Sequence, residues 1–181
     1  MPCLPIQSLE AAIWEQWTIV SEPEQRQLMM RGIAEMQQHE LKTSVETFTR
    51  LIDIAPDLSE AWNKRATAYW LLGNFPASLS DICETIKREP RHFGAYSGLG
   101  MIRAEMGEYP RAVAAFELAR KYNPHIVGID DEIDRLKAMG LISEIITWKL
   151  RLFVPTGTTG PAILAELMER YPVILVADRA A

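Results

Sequence analysis

The chain has 181 residues, of which 48% are hydrophobic and 24% are charged. That length suits one core domain with an appendage, and that composition supports a buried core rather than a disordered chain. The formal net charge of −5 argues against the dense basic surface that nucleic-acid binding requires, and no apolar run is long enough to cross a bilayer. We therefore expect an ordered protein that neither binds nucleic acid nor spans a membrane.

The N-terminal segment, residues 1–24, is predicted to hold one amphipathic helix. Between Ser8, which can cap the helix, and Val20, apolar side chains recur at helical spacing. The segment has neither the basic region nor the apolar region of a secretion signal. We therefore expect a soluble protein of the cytoplasm, of an organelle or of the periplasm.

Residues 25–140 contain a motif that recurs every 34 residues. Pro56, Pro90 and Pro124 close three successive windows, and Gly73 and Gly107 share one phase in the last two. Small and large side chains also recur in phase, namely Ser44, Ser78 and Ala112, then Phe48, Ile82 and Phe116. This period is typical of a solenoid of helical hairpins, in which the glycine ends the first helix and the proline ends the second.

These windows resemble the tetratricopeptide repeat (TPR) family from Gln25 to Lys137. The stretches WNKRATAYWLLG and EPRHFGAYSGLG are also similar to a bacterial and organellar group with a single three-repeat array. The first window matches less well, because Glu35 stands at the usual aromatic position and His39 at the turn glycine. The resemblance implies an all-α, right-handed solenoid of helical hairpins with flanking helices. A further helix from Ile129 to Met139 should cover the last repeat and stop at Gly140.

The resemblance also implies a function, because the first helices of TPR repeats line a concave face that binds partners. We expect a non-catalytic scaffold or adaptor for a protein or peptide. Chaperone-binding members clamp a C-terminal carboxylate with polar side chains, but at those places this chain has Met29, Ile33, Gly94 and Gly98. An apolar strip with polar neighbours remains. The predicted partner-binding residues are Met29, Met30, Ile33, Met36, Asn63, Lys64, Thr67, Trp70, Met101 and Glu105.

A second interpretation gives the apolar strip an internal role. The N-terminal helix could fold back and cover the strip with Trp14 and Trp17, so that both become part of the core. The sequence leaves both interpretations open.

The C-terminal appendage, residues 141–181, loses the 34-residue period. Residues 141–154 fit a helix or a strand, and we favour a strand from Thr147 because apolar and polar residues alternate there. Pro161 opens a predicted helix to Arg170, and a second short strand follows at residues 173–177. Such a strand-helix-strand unit needs another strand for stability, so one alternative function is an architectural subunit that forms a homo-oligomer through this tail.

Few residues suggest chemistry, and we expect neither enzyme activity nor a cofactor or metal. Gly157 and Gly160 of the TGTTG loop could direct backbone N–H groups at an anion, which makes a nucleotide- or anion-binding regulator a further alternative. The loop lacks the lysine of a phosphate-binding loop. His39, His92 and His125 are interpreted as structural or exposed, because none stands in a catalytic spacing with another reactive residue.

Two further features have structural interpretations. The acidic run that begins at Asp130 suits the first turn of a helix, where the helix dipole favours negative charge, better than it suits a metal site. Cys83 is expected to be a small buried side chain in the second helix of the middle repeat.

Overall fold

The computed structural model describes residues 22–153, with side chains through Thr147. Within that range the chain forms seven α-helices and no strand. They are α1 (Pro23–Gln37), α2 (Leu41–Ile54), α3 (Ser59–Leu71), α4 (Phe75–Arg88), α5 (Phe93–Glu105), α6 (Tyr109–Tyr122) and α7 (Ile129–Phe153). The predicted N-terminal helix and the appendage beyond Phe153 lie outside the described residues.

The first six helices pair as three successive hairpins, α1 with α2, α3 with α4, and α5 with α6. Each hairpin also packs on the next, through α2 with α3 and α4 with α5. The chain divides into two compact units, Met1–Lys137 and Ala138–Ala181, and the hairpins belong to the first. The predicted all-α solenoid of three hairpins is confirmed, whereas the domain bounds 1–24, 25–140 and 141–181 stay predictions.

The two helices of a hairpin approach closely where a glycine faces an aromatic ring. A Cβ atom added to Gly32 of α1 would lie 2.7 Å from the ring of Phe48 in α2. The same relation holds between Gly100 of α5 and Phe116 of α6, also at 2.7 Å. Both rings are buried, so a side chain larger than hydrogen would displace them. Phe48 and Phe116, two of the large residues that recur in the sequence, therefore fill the seams of the first and third hairpins.

We expect Gly100→Ala to lower the free energy of unfolding by about 1 to 2 kcal/mol, because overpacking against Phe116 outweighs the better helix propensity of alanine. Gly98→Ala, on the same helix, is the matched control, since its Cβ would make an ordinary contact 3.6 Å from Ile82 Cδ1. For Gly98→Ala we expect the free energy of unfolding to rise by up to about 1 kcal/mol. Urea unfolding measures both changes. Equal changes in the free energy of unfolding for the two variants would contradict the close contact between Gly100 and Phe116.

The turn inside each hairpin contains one residue with a left-handed backbone. Gly73 has a φ of 72° and Gly107 a φ of 73°, whereas His39 holds the same place in the first hairpin with a φ of 61°. In the second hairpin the N–H of Gly73 donates to the carbonyl of Trp70 at 2.8 Å and so closes the end of α3. The first repeat matches less well at this turn because His39 stands there, in a backbone conformation that favours glycine.

We expect His39→Gly to raise the free energy of unfolding by about 1 kcal/mol, because glycine adopts a positive φ without the steric cost of a Cβ atom. Gly73→Ala is the reciprocal variant and should lower it, since alanine would be strained at a φ of 72°. Thermal unfolding followed by circular dichroism measures both. A lower melting temperature for His39→Gly would show that the imidazole makes a compensating contact.

Glu35, at the usual aromatic position of the first repeat, is buried but fully partnered. The hydroxyl of Thr47 donates to its Oε2 at 2.6 Å, and the Nε of Arg31 donates to its Oε1 at 2.7 Å. A buried carboxylate is tolerated when charge and hydrogen bonds compensate it. The first repeat therefore keeps the hairpin although it departs from the expected residue.

The last helix, α7, differs from the prediction. We expected it to stop at Gly140 and a strand to begin at Thr147, but one helix runs on to Phe153. A single glycine costs a helix only about 1 kcal/mol, and extending an existing helix needs no new nucleus. The helical spacing of Leu141 and Ile145 therefore prevails over the alternation in the following residues. Both side chains are exposed, at 61% and 52%.

Candidate partner-binding groove

A cleft of about 300 Å³ opens between α3 and α5, the first helices of the second and third hairpins. Its depth comes from the α5 side, where Gly94, Ser97 and Gly98 occupy one helix face and leave space beside the backbone. Ile82 of α4 and Ile126, which precedes α7, also line it. The cleft thus lies within the repeat unit. The interpretation in which Trp14 and Trp17 of the N-terminal helix cover the apolar strip concerns residues outside the described range, so it stays a prediction.

Five of the ten predicted partner-binding residues line this cleft, and they are Asn63, Lys64, Thr67, Trp70 and Met101. Glu105 lies at its end, because its Oε1 accepts a hydrogen bond from the indole Nε1 of Trp70 at 2.9 Å. That bond joins α3 to α5 and fixes the orientation of the indole. Met101 of α5 also lines the cleft and is 39% exposed.

The four residues predicted from the first repeat do not line the cleft. Met29 is 1% exposed and packs with Phe48 and Leu51 in the hydrophobic core. Ile33 packs partly against the same cluster. On the same helix, Met30 is exposed and Met36 is half-buried. The cleft therefore does not extend to the first repeat, and these four residues stay predictions.

A buried polar cluster forms one end of the groove wall. Glu60 is fully buried, and its Oε2 lies 2.8 Å from His92 Nε2 and 3.1 Å from Asn63 Nδ2. His92 Nδ1 accepts the backbone N–H of Ala95 at 3.0 Å, so Nε2 carries the proton and donates to Glu60. The ammonium of Lys64 lies 3.0 Å from Glu60 Oε1 as an ion pair outside hydrogen-bond geometry. The cluster ties α3 to the start of α5.

Sequence reasoning missed the pairing of Glu60 with His92, although a signal was present. His92 lies at the junction between the second and third repeats. The equivalent residues at the other two junctions are Leu58 and Ile126. A polar residue among apolar equivalents indicates a buried partner at that junction. The expectation that His92 is structural agrees with its burial at 0% exposure.

The other candidate features lie outside the groove. Among the described residues, no group of three histidine, cysteine, aspartate or glutamate side chains could hold a metal ion. Asp130 lies in the first turn of α7, as predicted, and pairs with Arg120 at 2.6 Å. Cys83 is exposed, so its predicted burial is wrong. The TGTTG loop and the tail lie beyond Phe153, outside the described residues, so the anion-site and homo-oligomer hypotheses stay predictions.

Between residues 22 and 153, none of the helices combines the length and the apolar character that crossing a bilayer requires.

Comparison with known proteins agrees with the repeat architecture. The family model described as tetratricopeptide repeat matches residues 29–88 and 65–125, which together cover more than half of the chain. The chain belongs to the tetratricopeptide repeat family. In this TPR protein, the cleft therefore lies between the first helices of the second and third repeats.

Curated relatives match this chain over part of the repeat array. A TPR repeat-containing protein of Rhizobium etli is 42% identical over 66 residues, which cover 36% of this chain and 32% of that protein. An Hsc co-chaperone of Aspergillus fumigatus is 30% identical over 95 residues, which cover 52% of this chain and 28% of that protein. The chain thus spans about a third or less of these relatives.

Solved TPR domains share the fold. The Sgt2 TPR domain from Aspergillus fumigatus superposes with a TM-score of 0.61 at 22% identity, over 76% of this chain and 89% of that one. The first TPR domain of Spaghetti, bound to the Hsp90 peptide SRMEEVD, has a TM-score of 0.62 at 20% identity, over 66% of this chain and 94% of that one. At such identities the likeness shows the fold alone.

Proposed function

We propose that this TPR protein is a non-catalytic adaptor that binds an apolar peptide or helix of a partner protein in the cleft between α3 and α5. The observation that carries the proposal is the cleft itself, an open groove of about 300 Å³ whose walls present Trp70 and Met101. Peptide sites of this kind combine an apolar groove with a few fixed polar groups.

The apolar wall suits such a segment. Met101 is exposed and deformable, and Trp70 is oriented by its bond to Glu105. A rigid aromatic side chain beside an adaptable thioether is a common anchor for apolar partner residues. The opposite end of the cleft, at Asn63 and Lys64, supplies polar groups that can orient the main chain of a bound segment.

The chemistry of this cleft differs from that of a TPR domain that binds an acidic peptide. The solved Spaghetti domain holds the acidic peptide SRMEEVD. In this chain, two places of the third repeat that carry clamping side chains in chaperone-binding members are Gly94 and Gly98. Both glycines line the cleft and provide depth without charge. An uncharged, apolar segment therefore fits the groove better than an acidic C-terminus.

A peptide-display selection on the full-length chain tests the proposal. A random library is selected on the immobilised protein and counter-selected on the Trp70→Ala variant, so that only cleft-dependent binders remain. We expect enriched sequences with apolar residues at helical spacing and few acidic residues. Enrichment of sequences that bind both proteins equally would contradict the cleft as the binding site.

A further inference from the structure

The positive charge in the groove is balanced within the protein. The ammonium of Lys64 lies 3.0 Å from Oε1 of Glu60, and the two residues are one helical turn apart on α3. The Lys64 side chain is 22% exposed, whereas that of Glu60 is fully buried. Lys64 lines the cleft and Glu60 lies behind it.

A buried carboxylate depends strongly on the groups that compensate it. His92 and Asn63 donate hydrogen bonds to Oε2 of Glu60, whereas Oε1 is held by the charge of Lys64. Moving the ammonium towards a ligand carboxylate would leave Oε1 buried without a counter-charge, which is costly in a site that excludes water. Lys64 is therefore committed to Glu60 and is not available as a receptor for an acidic ligand.

We propose that Glu60 determines the ligand class of the groove: by holding Lys64 it restricts the cleft to uncharged peptide segments and excludes acidic C-terminal tails. A ligand carboxylate would meet a site whose charges from Glu60 and Lys64 already cancel. This inference rests on the proposed function in that the cleft is the binding site.

The test measures a gain of binding rather than a loss. The full-length chain and its Glu60→Gln variant are titrated with fluorescently labelled SRMEEVD peptide by polarisation. Glutamine keeps the shape of the side chain and an oxygen that accepts from His92, but it releases Lys64. We expect no binding to the wild type up to about 1 mM peptide and at least about a tenfold higher affinity in the variant.

Three controls separate this effect from a general change of charge. Glu46→Gln removes an exposed carboxylate on α2 and alters the net charge equally, so it should leave the wild-type result unchanged. The double variant Glu60→Gln/Lys64→Gln should bind SRMEEVD no better than the wild type does. The peptide SRMQQVN with an amidated C-terminus keeps the arginine of SRMEEVD but has no carboxylate, and it should bind neither the wild type nor the variant.

Two further measurements keep the inference testable if Glu60→Gln folds poorly. Glu60→Met, which removes the carboxylate and replaces it with an apolar side chain, should show the same gain. In the wild-type background, Lys64→Gln should lower the melting temperature more than Lys87→Gln, whose side chain is 75% exposed and lies 3.9 Å from its partner Glu84. Equal melting temperatures for these two lysine variants would overturn the commitment of Lys64 to Glu60.

The results also separate this inference from the proposed function. If folded Glu60→Gln and Glu60→Met proteins show no gain for SRMEEVD, or if the wild type binds it in the micromolar range, Glu60 does not set the ligand class. If the gain is observed but the display selection yields no cleft-dependent peptide, the charge balance stands and the adaptor function is wrong.

Discussion

Asp81→Asn is expected to lower the free energy of unfolding by about 3 kcal/mol or more, because it leaves a largely buried guanidinium without its counter-ion. Arg65 Nε donates to Asp81 Oδ2 at 2.7 Å and Nη2 donates to Oδ1 at 2.9 Å, so the pair is bidentate and joins α3 to α4. The two side chains are only 14% and 5% exposed. Equilibrium unfolding in urea measures the loss.

The protein cannot relieve this loss by deprotonation. The hydrogen bonds that Arg65 donates to Asp81 raise the pKa of Arg65 above its usual value, with burial opposing them. A cation whose pKa is raised in the folded state stabilises the fold below its unfolded pKa, so the contribution of Arg65 is the same at pH 7 and at pH 9. We therefore expect the destabilisation by Asp81→Asn at pH 9 to match that at pH 7.

Glu132→Gln is a matched control for Asp81→Asn. Arg135 also binds Glu132 through two N–H donors, at 2.7 and 2.6 Å, but these side chains are 55% and 34% exposed. An exposed pair of the same geometry is worth less than about 1 kcal/mol. A loss of equal size in the two variants would show that burial is not the cause. The double replacement Arg65→Leu/Asp81→Leu should recover part of the stability, because no charge is then left without a partner.

Trp70→Ala is expected to weaken the binding of a selected apolar peptide by at least about 2 kcal/mol, which is about 30-fold in Kd. The variant removes the largest side chain of the cleft and breaks the link to Glu105. Fluorescence polarisation with the labelled peptide measures the affinity, at a temperature where circular dichroism shows the variant to be folded. Trp70→Phe should weaken the binding of the peptide less than Trp70→Ala does, because phenylalanine keeps an aromatic ring but lacks the indole N–H donor.

Leu118→Ala controls for the removal of exposed apolar surface in general. Leu118 is 37% exposed on α6, the second helix of the third hairpin, and does not line the cleft. We expect its affinity to equal that of the wild type. If Leu118→Ala and Trp70→Ala weaken binding alike, or if Trp70→Ala changes nothing, the peptide binds elsewhere on the protein.

The hairpins could be predicted because their signals are local. Gly73 and Gly107 recur 34 residues apart, and both have the left-handed backbone that ends a helix. His39 stands at the same phase and adopts the same conformation, so the period identified the turn even where the residue type did not. Capping, turn conformation and helical spacing depend on neighbours along the chain, and the sequence records them directly.

Half of the groove could be predicted in the same way. Asn63, Lys64 and Trp70 were placed on the inner face by their position in the repeat, and they line the cleft. Met29 has the same position in its repeat as Asn63 in the next, yet it packs in the hydrophobic core and does not line the cleft. Its burial depends on the neighbouring Phe48 and on the packing of α2, which repeat position alone does not specify.

The sequence by itself determined the helical hairpins, their number in the repeat array and the phase of their turns, because each follows from residues close together along the chain. Only the tertiary structure decided that Glu60 meets His92, that Lys64 is held by that carboxylate, and that α7 continues to Phe153. Burial, charge compensation and the choice between helix and strand depend on what lies next to a segment in space. The walls of the groove belong to that second group.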